Sequence, residues 1–109
     1  MASSKKIKRA FKVWLEFKGR IVLGKGGAKI LLTIEREGSI LKTAKNVKMS
    51  YRYVWGYIAK TEKILGEPLV QTQIGGKGGG GAKLTKRGRF LLNQYVTMEK
   101  KARKSFSDG

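Results

Sequence analysis

Residues 38–55, GSILKTAKNVKMSYRYVW, carry the pattern from which the rest of the chain is read. Gly38 reads as a helix stop, because glycine enters the left-handed backbone without steric cost. Ser39 follows as an N-cap whose hydroxyl can accept from free backbone N–H groups. Ile40, Ala44 and Val47 then fall at spacings of four and three, one face of a helix of about eight residues. Lys48 and Met49 break that run, and Ser50 caps again. A short helix, a tight turn and a longer helix in this order predict a helix-turn-helix.

The longer helix is predicted over Tyr51 to Leu65. Val54, Trp55, Ile58 and Leu65 make its apolar face, and Arg52, Tyr53, Gly56, Tyr57 and Lys60 make a basic and aromatic face on the other side. Gly66 stops it and Pro68, the only proline, prevents its resumption, so Leu69 to Ile74 is open to form a strand. Upstream, Phe11, Val13, Leu15 and Phe17 alternate with Lys12, Trp14, Glu16 and Lys18, the period of a half-buried strand. Gly19 and Arg20 turn the chain, Ile21 to Leu23 can return, and Gly24 to Gly27 read as a loop. From Ala28 the period changes, with Ile30, Leu31 and Ile34 on one face of a first helix that ends at Gly38.

Downstream, Gly75 to Gly81 surround Lys77 with glycine, and Ala82 to Leu84 follow as a return strand. Two strands joined by such a tip make a wing. Thr85 can cap a last helix, in which Leu84, Leu91, Tyr95, Met98 and Ala102 recur as a stripe suited to packing on another helix. The expected fold class is therefore α+β, a winged helix-turn-helix: a basic arm over residues 1–10, the winged domain over 11–85, and a dimerisation helix with a basic tail over 86–109.

The charge narrows the partner to a polyanion, with nucleic acid and an anionic membrane surface as the candidates. Twenty-five Lys and Arg against 7 Asp and Glu leave +18, so the chain repels itself and seeks polyanions. There is neither cysteine nor histidine, which removes disulfides, thiol nucleophiles, imidazole bases and soft-metal ligand sets. The carboxylates are scattered and form no acid–base or metal pattern, so neither an enzyme, nor a metal site, nor a cofactor is expected. Gly76, Gly78 and Gly81 formally fit a dinucleotide fingerprint, but Ala82 to Leu84 intervene before any helix, and Lys100 and Lys101 stand where an acidic residue is needed. The segment GKGGAK from Gly24 to Lys29 lacks the spacing and the hydroxyl of a P-loop. No apolar run approaches a membrane span or a signal peptide. The expectation is a cytoplasmic, nucleoid-associated protein.

In element order and in two segments, GSILKTAKNVKMSYRYVW at 38–55 and GEPLVQTQIGGKGGGGAKLTKRGRFLLNQY at 66–95, the sequence resembles the N-terminal DNA-binding domain of molybdate-responsive (ModE-type) transcriptional regulators, which is related to the LysR-type domain. The second segment is the more specific, through its GGKGGGGA tip followed by LT, a basic pair and a glycine. The resemblance covers roughly residues 10 to 100. It implies that Tyr51 to Leu65 lies in the major groove, that Gly75 to Gly81 is the wing, and that the last helix forms a homodimer. The family usually has glycine where this chain has Lys48, so the turn is expected to be adjusted or strained by about 1 kcal/mol. The chain ends where effector-binding domains would follow in the family, so no small-molecule effector is expected.

On this reading, double-stranded DNA is met by Ser50, Tyr51, Arg52, Tyr53, Tyr57 and Lys60 of the recognition helix. Arg52 is suited to guanine O6 and N7 or to a phosphate. Lys77, Gly78 and Gly79 at the wing, with Lys83, Lys86, Arg87 and Arg89 beside it, are expected on the sugar–phosphate backbone, since a tip without side chains lets the backbone lie close to it. A flexible connector is the plainer alternative for the glycines. Leu91, Tyr95, Met98 and Ala102 are expected at the dimer seam. Lys100, Lys101, Arg103 and Lys104 either meet phosphate or only keep the last helix solvated. A dimeric transcriptional regulator is the first expectation; an architectural DNA-coating protein and a structural RNA-binding protein are the rivals.

Overall fold

The computed structural model describes residues 6–73 and 80–108. Capping and turn chemistry divide these into β1 (Leu15–Phe17), β2 (Arg20–Leu23), α1 (Lys25–Glu37), α2 (Ile40–Val47), α3 (Tyr51–Leu65), β3 (Val70–Gln73), β4 (Gly81–Leu84) and α4 (Lys86–Asp108). The strands form two separate antiparallel hairpins, β1 with β2 and β3 with β4. This is the α+β winged helix-turn-helix expected from the sequence.

Each boundary in the central segment has a local cause. Gly38 closes α1 in the left-handed region at φ 65°, donating its N–H to the Ile34 carbonyl. The Ser39 hydroxyl accepts from the Lys42 N–H at 3.1 Å, and the Ser50 hydroxyl accepts from the Tyr53 N–H at 3.0 Å, so both helices of the motif start on a serine cap. Between them Lys48 sits at φ 58° and ψ 42°, and the Met49 N–H reaches back to the Ala44 carbonyl at 3.0 Å. A residue with a Cβ pays about 1–2 kcal/mol for that conformation, so the turn that orients α3 is strained at Lys48, as expected from the sequence.

The apolar faces meet in one core. Val22, Leu23, Ile30, Leu31, Ile34, Ile40, Ala44, Val47, Val54, Ile58, Leu69 and Leu84 are all buried in it. The β3–β4 hairpin is tied to the helices at its root. The Glu62 carboxylate on α3 accepts from the Leu69 N–H at 2.7 Å and the Val70 N–H at 3.2 Å, while the Ala82 N–H donates to the Gly38 carbonyl at 2.9 Å. Thr85 caps α4 by accepting from the Gly88 N–H at 3.0 Å. Gly88 is required there, because a Cβ would lie 2.2 Å from the Leu69 carbonyl oxygen.

Three boundaries differ from expectation. The segment Gly24 to Gly27 is the N-cap and first turn of α1 instead of a loop. Glycine disfavours helix on its own, but Gly27 is set against Tyr57 of α3, where a Cβ would lie 1.9 Å from the Tyr57 hydroxyl. The first strand begins at Leu15 instead of Phe11, because β2 supplies only four residues and the register shifts between Leu15 and Glu16. The half-buried alternation nevertheless runs from Phe11 to Phe17. Leu84 belongs to β4, paired with Val70, and not to the last helix.

The left-handed Lys48 gives a direct stability prediction. Lys48→Gly should raise stability by up to about 1 kcal/mol, seen as a higher urea midpoint at unchanged slope. A lower midpoint would show that the turn carries no strain.

Candidate nucleic-acid interface

The outward side of α3 is defined by what its inward side buries. Val54, Ile58 and Thr61 are buried, and Trp55, Tyr57, Ile64 and Leu65 are half-buried around them. Opposite them lie Arg52, Gly56, Ala59 and Lys63, all exposed and spaced four, three and four apart, so they form one stripe along the helix. Lys60 is exposed beside it. Cations stand at both ends of the stripe, and its middle is a glycine and an alanine. At Gly56 a Cβ would meet no described atom within 4 Å. Such a surface can approach a polyanion closely and hold it at two points.

The expected α3 residues are therefore divided. Ser50, Tyr51, Arg52, Tyr53 and Lys60 are exposed. Ser50 is committed to its cap, and the Tyr51 ring stands edge-on to Trp55 with centroids 6.3 Å apart. Tyr57 lies off the outward stripe, toward β2 and α1: its ring packs over Gly27 and its hydroxyl is half-buried near Gly24 and Thr61. Burial pushes the Tyr57 hydroxyl above its ordinary value of 10.0, and hydrogen bonding with the Gly24 backbone partly opposes that shift. Ala59 and Lys63 were missed, although a strict count of four and three from Arg52 would have found both.

Lys77, Gly78 and Gly79 at the wing tip lie outside the described residues. Lys83 and Lys86, on the return strand and at the start of α4, are exposed. Arg87 and Arg89 each have a partner within the chain. Arg87 pairs with Glu67 at 2.9 Å and lies over the Phe90 ring at 5.0 Å, while Arg89 donates to the Leu84 carbonyl at 2.9 Å. The predicted α4 stripe is also divided. Leu91 and Tyr95 are only 6% and 7% exposed and belong to the core of their own chain, because α4 packs back on α1, β2 and β4. Met98 and Ala102 are half-buried further along. Arg103 is paired with Glu99 and lies 5.4 Å over Phe11, whose ring stacks on Phe106 at 5.0 Å. The basic arm meets the same helix end, with Arg9 donating to the Phe106 carbonyl. None of the described helices is long and apolar enough to cross a membrane.

A short capped helix, a turn and a second helix with a cationic outer stripe, followed by a β-hairpin, define a winged helix-turn-helix protein of the DNA-binding type. Residues 27–89 match the family described as bacterial regulatory helix-turn-helix protein, lysR family, and the chain belongs to that family. It is 42% identical over 71 residues to the molybdenum transport protein ModE of Azotobacter vinelandii, covering 65% of this chain and 26% of that one. With the transcriptional regulator ModE of Haemophilus influenzae it shares 37% identity over 78 residues, 72% of this chain and 31% of the relative. The resemblance to ModE-type regulators is thus borne out, and the chain spans under a third of the length of these relatives. Among solved structures it is similar to ArgP from Mycobacterium tuberculosis, with a TM-score of 0.60 at 17% identity over 80% of this chain and 30% of that one. The DNA-binding domain of BenM, in a complex with catB site 1 DNA, gives 0.55 at 19% identity over 73% of this chain and 83% of the other. At these identities the two structures speak for the fold.

The inward turn of Tyr57 is testable by pH. A folded-state hydroxyl held above its unfolded value keeps its proton longer in the folded chain, so its contribution to stability is present below about pH 10 and is lost as pH rises beyond it. Chemical denaturation at pH 9 and pH 11 should show Tyr57→Phe losing less stability over that interval than the wild type. Equal losses would return the Tyr57 hydroxyl to solvent.

Proposed function

We propose that this chain binds duplex DNA for transcriptional regulation, with α3 in the major groove and the β3–β4 hairpin along the sugar–phosphate backbone. The carrying observation is the exposed stripe of Arg52, Gly56, Ala59 and Lys63. Small residues in its middle let the helix sit deep between base edges, Arg52 at the N-terminal end can grip a guanine bidentately, and Lys63 and Lys60 neutralise phosphates at the groove wall. Lys83 and Lys86, exposed on β4 and at the start of α4, are the cations that this reading assigns to the sugar–phosphate backbone beside the wing; Lys77, Gly78 and Gly79, assigned to the same role from the sequence, lie outside the described residues. Membership of a family of bacterial regulators and a net charge of +18 support duplex DNA as the partner. DNA as partner implies association with the nucleoid, and neither catalysis nor a small-molecule effector is part of this reading.

The reading includes a homodimer through the distal half of α4, where Met98 and Ala102 are half-buried and Phe106 is 44% exposed. Leu91 and Tyr95 support that helix from inside their own chain. Two recognition helices paired in this way address half-sites about one helical turn of DNA apart.

Selection of bound duplexes from random DNA should enrich a two-fold motif; a flat profile would replace the regulator with a DNA-coating protein. On the enriched site, Arg52→Ala should cost about 1–3 kcal/mol, with a much smaller loss on random duplex. Equal losses on both would assign Arg52 to the backbone.

A further inference from the structure

The β1–β2 hairpin lies outside residues 27–89, the part that matches the lysR family, yet it packs against α3. It is closed by a two-residue turn, Lys18 and Gly19, between the paired residues Phe17 and Arg20. Both turn residues have positive φ, 51° for Lys18 and 79° for Gly19, which is the geometry that matches strand twist and that asparagine and glycine adopt at least cost. Lysine is a poor choice there. Among the described residues the two non-glycine positions with positive φ are both lysines, Lys18 in the turn of the β1–β2 hairpin and Lys48 just before α3. The Lys18 ammonium lies 5.4 Å over the Phe17 ring and the residue is otherwise exposed, so the strained turn keeps a cation at the hairpin tip.

What lies between the hairpin and α3 indicates a use for that cation. Ile21, Tyr53, Gly56, Tyr57, Lys60 and Ile64 line an open cleft of about 400 Å³ that continues into the α3 stripe at Gly56. Its lining is mostly apolar, and α3 contributes to it Lys60 and the hydroxyl-bearing residues Tyr53, Tyr57 and Thr61. At the free end of the hairpin stand Lys18 and Arg20, both exposed and, among the described residues, without a carboxylate partner. The one carboxylate of the hairpin, Glu16, accepts from the Trp14 indole N–H at 2.8 Å. A mostly apolar lining that includes a lysine, with two further cations on the neighbouring turn, suits a segment that pairs a sugar with an anion, which describes deoxyribose and its phosphates.

We propose that the β1–β2 hairpin is a second wing: its tip lysine and arginine clamp the sugar–phosphate backbone on the hairpin side of α3, and the cleft behind Ile21 seats the sugar. This rests on the reading of α3 as the DNA-facing helix. With the β3–β4 wing elsewhere along the duplex, the recognition helix is held by backbone contacts from two separate hairpins, which set its depth and register independently of sequence.

The test is the salt dependence of binding to a random duplex by the full chain, wild type against the double variant Lys18→Asn, Arg20→Gln. Asparagine tolerates the left-handed backbone, so the turn should keep or improve its stability while both charges are lost. Each lost phosphate contact reduces the slope of log affinity against log salt by about 0.9, so the double variant should be shallower by about two units with an unchanged or higher Tm. Lys18→Arg should keep the wild-type slope. A wild type with a steep slope and a double variant that matches it would overturn the second wing alone. A wild type that binds duplex without salt dependence, or not at all, would overturn the DNA-binding reading together with it. A lowered Tm with the slope intact would make the tip a folding element only.

Discussion

The left-handed backbone at Lys48 is the constraint on which the arrangement of the reading head depends. It ends α2, returns the Met49 N–H to the Ala44 carbonyl and delivers Ser50 to the start of α3 in extended conformation, ready to cap. From that turn the direction of α3 follows, and with it which residues face inward. Val54 and Ile58 reach the core, and Arg52, Gly56, Ala59 and Lys63 are left outside as a consequence. A different backbone at one lysine would rotate or tilt the whole stripe.

Two further contacts convert an oriented helix into a rigid one. Tyr57 lies on Gly27 so closely that the first turn of α1 must be bare there, which locks the middle of α3 to the start of α1. At the other end, the Glu62 carboxylate takes two backbone N–H groups from the start of β3, fixing the root of the wing to the helix that carries the exposed cationic stripe. A buried or half-buried carboxylate with two such donors is worth more than an exposed ion pair such as Arg87 with Glu67, which gains little against water and salt. Helix and wing root are therefore held to one another.

Most of the fold was legible because its signals are local. Gly38, Ser39, Ser50, Gly66 and Thr85 act through their own backbone neighbourhoods, and each lies at the boundary the sequence indicates. What was not legible is tertiary. Four residues of GKGG look like a loop until Tyr57 supplies the reason for Gly27. Tyr57 looks like a surface tyrosine until the β1–β2 hairpin and α1 are seen on its side of the helix. Leu91 and Tyr95 look like an interface because periodicity tells which residues share a face and not what covers it; here α1, β2 and β4 do. For the same reason charge alone does not show that Arg87 and Arg89 have partners within the chain, or that Lys63 lies on the exposed stripe.

The central claim is that the outer stripe of α3 enters the major groove of duplex DNA. Methylation protection at guanine N7, an atom that lines only the major groove, tests it most directly on a duplex selected by this chain. The account predicts N7 protection within the selected motif by the wild type, and its loss at one guanine per half-site with Arg52→Ala while the complex persists at low salt. Tight binding with every N7 still reactive would contradict it, and would move the contact to the backbone or the minor groove.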